Sequence, residues 1–192
     1  MGKGSSTGVT EFYYRKHGEA GIPTGKVYRV PFLQDITVEQ AVEVFKAYGD
    51  NRTAEVGQAI GDITVTSTFH SIDDEHKVNL FGVKTRDGIT VYSSDDVAPY
   101  VSVIFAKTYE NGDKEWVGLY KGIASRGNIE GSTKEGGGGE FSSEEISFSF
   151  MERELDNETL ATAYDKKGET TNKEALFAEV FGADLEDTPA GA

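Results

Sequence analysis

From Ile36 to Tyr48 the chain alternates: Ile36, Val38, Gln40, Val42 and Val44 form one set, and Thr37, Glu39, Ala41, Glu43 and Phe45 the other. A period of two predicts one long half-buried strand. Its expected partner runs from Ala59 to His70, where Ile63, Val65, Ser67 and Phe69 alternate with Asp62, Thr64, Thr66 and Thr68, a Thr-rich polar face suited to β structure. The polar, Gly-containing stretch Gly49 to Gln58 reads as the connector between them. Further strands are expected at Gly88–Ser93, Tyr100–Tyr109, Trp116–Ser125 and Glu144–Glu152, with Asn111-Gly112 as a hairpin turn. In the last of these Ile146, Phe148 and Phe150 share one face and Ser147 and Ser149 the other. Near the start, Glu11–Lys16 and Lys26–Gln34 read as a pair joined by a turn at Gly21-Ile22-Pro23.

Two helices interrupt this pattern. Asp73 to Phe81 opens with acidic residues, stops at Gly82 and sets Val78 and Phe81 three apart. The second begins with a capping box, Thr171 and Glu174, continues as the apolar stripe Leu176, Phe177, Val180 and Phe181, and ends at Gly182. A stripe of that width must dock on something. The fold class is therefore mainly β, a sandwich or barrel with a short internal helix and a C-terminal flanking helix. Residues 1–10 read as a flexible arm, 11–182 as one domain and 183–192 as an acidic tail.

Composition narrows the chemistry. In 192 residues there are 19 Lys+Arg against 33 Asp+Glu, a formal charge of −14, which argues against tight wrapping of nucleic acid because that needs a basic stripe. With no Cys, disulfides, thiol nucleophiles and Cys-ligated zinc are excluded, and the composition leans towards a reducing compartment. The longest mostly apolar run, Ala98 to Ala106, is far short of the roughly 20 residues of a membrane helix. The N-terminus carries no apolar signal region, so a soluble chain with no membrane partner is expected.

Candidate sites for chemistry are sparse. His70 and His76 flank Asp73 and Asp74, but the spacing fits no metal motif, and acidic residues at a helix start need no metal to explain them. The run Gly136 to Gly139 does not complete a phosphate loop. Adjacent carboxylates such as Glu144-Glu145 point to opposite faces of a strand and cannot share a substrate. No catalytic residue, cofactor or metal is expected, and the chain does not read as an enzyme. What remains is an acidic β domain with candidate assembly elements. Phe12, which follows a Gly/Ser-rich start, could anchor that arm on a partner.

Several segments, in order, carry a resemblance. They are Val42-Glu-Val-Phe-Lys-Ala-Tyr-Gly-Asp-Asn followed by Ala59-Ile-Gly-Asp-Ile-Thr-Val-Thr; the helix closing on Leu80-Phe-Gly82; Ala98-Pro-Tyr-Val-Ser-Val-Ile-Phe; Asn111-Gly-Asp-Lys; Trp116-Val-Gly-Leu-Tyr-Lys-Gly122; Glu144-Glu-Ile-Ser-Phe-Ser-Phe-Met-Glu-Arg153; and Glu174-Ala-Leu-Phe-Ala-Glu-Val-Phe181. Together, over about residues 9 to 182, they resemble the major tail protein, or tail tube protein, of bacteriophages with long non-contractile tails. The Gly136 to Gly139 run departs from that pattern, and no decoration domain is expected after the last helix.

The resemblance implies a tail-tube-type β-sandwich, made in a bacterial cytoplasm and located in the virion. Its copies would form hexameric rings that stack into a tube for DNA ejection. Implied partners are other copies, a tail tip or initiator, a tape measure protein, a tail terminator, and double-stranded DNA in transient passage. On this reading Thr37, Glu39, Glu43, Asp62, Thr64 and Thr66 line the lumen, where carboxylates repel phosphates and let DNA slide. Lys3, Phe12, Arg15, Lys16, Tyr48, Asp50, Asn51 and Arg52 are candidate inter-subunit residues. Two other readings compete. One is a monomeric carbohydrate- or ligand-binding β-sandwich with Trp116 and tyrosines as a platform, although Trp116 falls in an alternating strand that places it in a core. The other is the related tube protein of secretion or contractile-tail machines.

Overall fold

The computed structural model describes residues 4–18, 21–49, 52–127 and 143–182. The chain is mainly β, with ten strands and two helices among the described residues. The strands are β1 (Ser6–His17), β2 (Pro23–Val30), β3 (Leu33–Gly49), β4 (Arg52–Phe69), β5 (Lys84–Arg86), β6 (Ile89–Val91), β7 (Tyr100–Tyr109), β8 (Lys114–Arg126), β9 (Glu144–Met151) and β10 (Leu160–Asp165). The helices are α1 (Asp74–Phe81) and α2 (Thr171–Phe181). One antiparallel sheet runs β2-β1-β7-β8-β9-β4-β3, and β10 adds to it along β8. Strand β8 is shared: its residues 114–119 pair with β10 and 121–126 with β9. The sheet coils until β3, at one end of the path, packs against β1 near the other.

Alternation along the strands sorts the core into two layers. Phe12, Tyr14, Val101, Val103, Phe105, Phe148 and Phe150 point inside the coiled sheet, where they meet Ile63, Val65 and Phe69 of β4. Leu80 of α1 and Ile72 join that interior. The intervening side chains Tyr13, Ile104, Ala106, Trp116 and Tyr120 face outwards, and α2 covers them with Leu176, Phe177, Val180 and Phe181. Burying four such side chains contributes about 1.5–3 kcal/mol each. The apolar run of β7 thus belongs to a central strand buried on both faces.

Several sequence expectations shift. Within the expected arm, Ser6 to Thr10 are strand, paired with β7, while residues 1–3 lie outside the described residues. Lys26 to Gln34 is two strands, broken at Pro31-Phe32, where proline removes a donor and Phe32 takes φ 62. Gly49 to Gln58 is no long connector: the pairing of β3 with β4 continues to Gly49↔Arg52, so backbone hydrogen bonding carries the hairpin on where the side chains turn polar. The strand expected at Gly88–Ser93 is only β6, which pairs with β5 in an isolated ribbon. In α1 the buried residues are His76 and Leu80, not Val78 and Phe81.

The cap of α2 also differs. Its N-cap is Thr170, whose hydroxyl donates to the Glu174 carboxylate at 3.0 Å. The first-turn amides of Asn172 and Lys173 donate to Oδ1 and Oδ2 of Asp165 at 3.0 and 2.8 Å. Asp165 ends β10, the strand that sequence reading did not anticipate, and it is 1% exposed. One buried carboxylate therefore satisfies two orphan amides and fastens the helix to the sheet.

Candidate assembly surfaces

Beyond Ile63, β4 has lost β9 and pairs with β3 alone. The two strands continue from Val42↔Ile60 to Gly49↔Arg52 as a two-stranded arm, roughly 25 Å long at about 3.3 Å per residue. At its root the register shifts between Gln40 and Val42, so Gly61 and Asp62 together face Ala41. A Cβ on Gly61 would stand 3.2 Å from that of Ala41, which explains glycine at the crowded side of the bulge.

The arm and its root have two unlike faces. On one, Ile36 and Val38 pack on the core while Val42 and Val44, further along the same set, are 48% and 59% exposed. Where that face leaves the body lies a cleft of about 360 Å³, lined by Val9, Ile36, Val38, Phe105, Val117 and Leu160 among others. The opposite face carries the six residues selected from sequence. Thr37 stands opposite Thr66, Glu39 opposite Thr64, and Glu43 opposite Ala59. Thr37, Glu39, Glu43, Asp62 and Thr64 are exposed and Thr66 is half-buried. The structure thus brings these six onto one hydroxyl-and-carboxylate surface turned away from the core.

Of the expected inter-subunit residues, the three whose side chains are described, Phe12, Arg15 and Lys16, are engaged within the chain. Phe12 is fully buried, edge-on to Phe69 at 5.1 Å, because β1 is an interior strand rather than an arm. Arg15 donates within the chain, from Nε to the Gly25 carbonyl at 2.9 Å and from Nη1 to the Phe181 carbonyl at 2.7 Å. Lys16 donates to Asn79 at 2.7 Å. Lys3, Asp50 and Asn51 lie outside the described residues, as do the side chains of Tyr48 and Arg52.

The remaining polar clusters are structural. His76 is buried, its Nδ1 3.0 Å from the Tyr14 hydroxyl, and it faces the aromatic pair Tyr14 and Tyr28 rather than Asp73. Burial pushes its imidazole below the usual range. His17 lies 2.8 Å from the Ser102 hydroxyl, a pairing with no sequence signal. Ser102 is fully buried and donates to the Tyr120 carbonyl at 2.5 Å, so it offers no nucleophile to a substrate. Asp156, Glu158 and Glu179 converge, but on Arg153, whose guanidinium pairs with all three and stacks 4.0 Å over the Tyr120 ring. Trp116 is 2% exposed beneath α2 and presents no stacking face to a sugar.

Electrostatics knit the frame at Glu11. It occupies a bulge of β1 at φ 55 and accepts from Lys114, from Lys173 at 3.0 Å and from the Tyr13 hydroxyl at 2.9 Å. Burial opposes its charge, but the two ammonium groups prevail and hold its carboxyl down at about 2. Three elements, β1, β8 and α2, meet at this one side chain. No helix among the described residues is long and apolar enough to cross a membrane. No protein-family model matches the chain, and no curated protein matches it significantly.

Proposed function

We propose that the chain is a structural subunit that polymerises through its β3–β4 arm into stacked rings, forming a tube of the phage-tail type with an acidic lumen. The observation that carries this reading is the arm itself. A two-stranded ribbon is marginal alone in water, and this one holds Val42 and Val44 out to solvent beside an apolar cleft. A neighbouring copy laid along that face covers the valines, and pairing at the free edge of β3 removes an exposed strand edge. Repeating one such contact around an axis gives a closed ring.

The opposite face then lines the channel. Glu39, Glu43 and Asp62 place carboxylates there and Thr37, Thr64 and Thr66 hydroxyls, so passing phosphates are repelled instead of held. Because the chain has no cysteine, Glu39→Cys gives a single reporter. In the assembled form it should react with a small maleimide and be protected from a bulky one, while unassembled chains react with both. Equal labelling by the bulky reagent in both states would overturn the lumen assignment.

A further inference from the structure

Apart from the arm, two exposed apolar surfaces differ in shape, one convex and one concave. The convex one is the β5–β6 ribbon. Its register sets Lys84 opposite Val91 and Arg86 opposite Ile89, and residues directly opposite or two apart share a face. One face therefore carries Lys84, Arg86, Ile89 and Val91, and all four are exposed, Ile89 by 65%. The other face bears Thr90, whose Oγ1 is buried, so the ribbon turns its threonine inwards and its aliphatic pair to solvent. Asp87 and Gly88, at φ 51 and 77, make the tight turn between the strands. Neither Lys84 nor Arg86 has an ion-pair partner among the described residues. The acids nearest in sequence, Asp87, Asp95 and Asp96, lie in the turn and in the next loop, outside the two strands.

The concave surface is a cleft of about 390 Å³ at the C-terminal end of α2, with apolar walls from Ile22, Pro23, Leu155 and Val180. Ile22 is exposed, and Leu155 is 84% exposed. The charged residues on the cleft are Lys121, Arg153, Glu154 and Glu179. Lys121 is neutralised by Glu154 at 2.7 Å. Arg153 is shared by Glu179, Asp156 and Glu158, so one cation meets three carboxylates and two negative charges are left over.

We infer that the β5–β6 ribbon of one copy seats in this cleft of another, with Ile89 and Val91 against Ile22 and Leu155 and with Lys84 and Arg86 beside the surplus carboxylates. The contact rests on the assembly reading above and deepens it. An arm contact repeated around an axis closes a ring, and joining ring to ring needs a second contact between unlike surfaces. A convex cationic face and a concave acidic cleft on one chain meet that need. The aliphatic contact supplies most of the attraction, because exposed ion pairs add little. The charges select ribbon-to-cleft pairing over ribbon-to-ribbon and cleft-to-cleft contacts.

The chain has no cysteine, so two single-cysteine variants, Ile89→Cys and Leu155→Cys, can be mixed in equal amounts and oxidised with diamide. A disulfide forms only where the two Cα atoms come within about 7 Å. The expected product is the mixed disulfide, in excess of the two like-with-like disulfides together. Adding Lys84→Glu and Arg86→Glu to the Ile89→Cys chain should lower its yield about threefold or more, the effect of losing two exposed ion pairs. A mixed yield no greater than that of the like pairs is the random-collision result and overturns the contact; an undiminished yield in the charge-reversed chain overturns the charge match. One cross-link needs two chains and not a tube, so it is also sought below the concentration at which higher-order species sediment. Tubes without the mixed disulfide would overturn this contact and leave the assembly reading standing, whereas absence of both would overturn both.

Discussion

Gly118 lies directly beneath Val180: a Cβ on the glycine would stand 2.6 Å from Val180 Cγ2. Leu176 crowds the same point at 3.4 Å, so α2 seats on β8 only because the strand has no side chain there. Gly118→Ala should therefore lift the helix and destabilise the fold by about 1–3 kcal/mol, the usual cost of overpacking. Urea unfolding checks this, and an unchanged midpoint would show that α2 is not held so closely.

Glu11 sets a pH dependence with a definite sign. Its carboxyl lies at about 2 in the fold against an ordinary value of 4.5, so its contribution is complete above about 4.5 and is lost as pH falls towards 2. Glu11→Gln should cost about 2–3 kcal/mol at pH 7, and the gap from the parent chain should close by pH 2. Unfolding curves across that range measure the gap. A constant difference would mean that packing, not charge, carries the effect.

Asp165 is expected to matter more than the threonine cap. Asp165→Ala frees two first-turn amides of α2 and should cost about 1–2 kcal/mol, whereas Thr170→Ala should cost less, since its hydroxyl bonds only to the Glu174 side chain. Thermal unfolding of the two variants gives the order, and the reverse order would contradict the capping geometry.

Val42→Asp with Val44→Asp separates folding from assembly. Both valines are about half exposed on the arm, so the pair should leave the unfolding midpoint within about 0.5 kcal/mol of the parent while abolishing higher-order species in velocity sedimentation. Assembly that persists would remove the arm from the interface.

Legibility in the sequence followed period and chemistry. The faces of β3 and β4 were readable because strict alternation survives the bulge at Gly61-Asp62, where β4 simply adds a residue. The stripe of α2 was readable because four apolar residues repeat at helical spacing. The outer arm was not, since Thr53 to Gln58 has no apolar alternation and is held as strand by its pairing with Tyr48 to Val44. Phe12 looked like a surface anchor because local sequence cannot tell an arm from an interior strand; its burial depends on β7 and β9, far along the chain. The His17 and Ser102 pair and the Glu11 cluster bring together residues 85 to 162 positions apart, and no local spacing announces them.

Electron microscopy of the purified protein at rising concentration, with and without isolated phage tail tips as seeds, tests the central claim most directly. The account predicts stacked rings or hollow tubes whose wall is built from this chain and whose channel is lined by the face bearing Glu39 and Thr64. Single particles that stay separate at every concentration and ignore the seeds would contradict it.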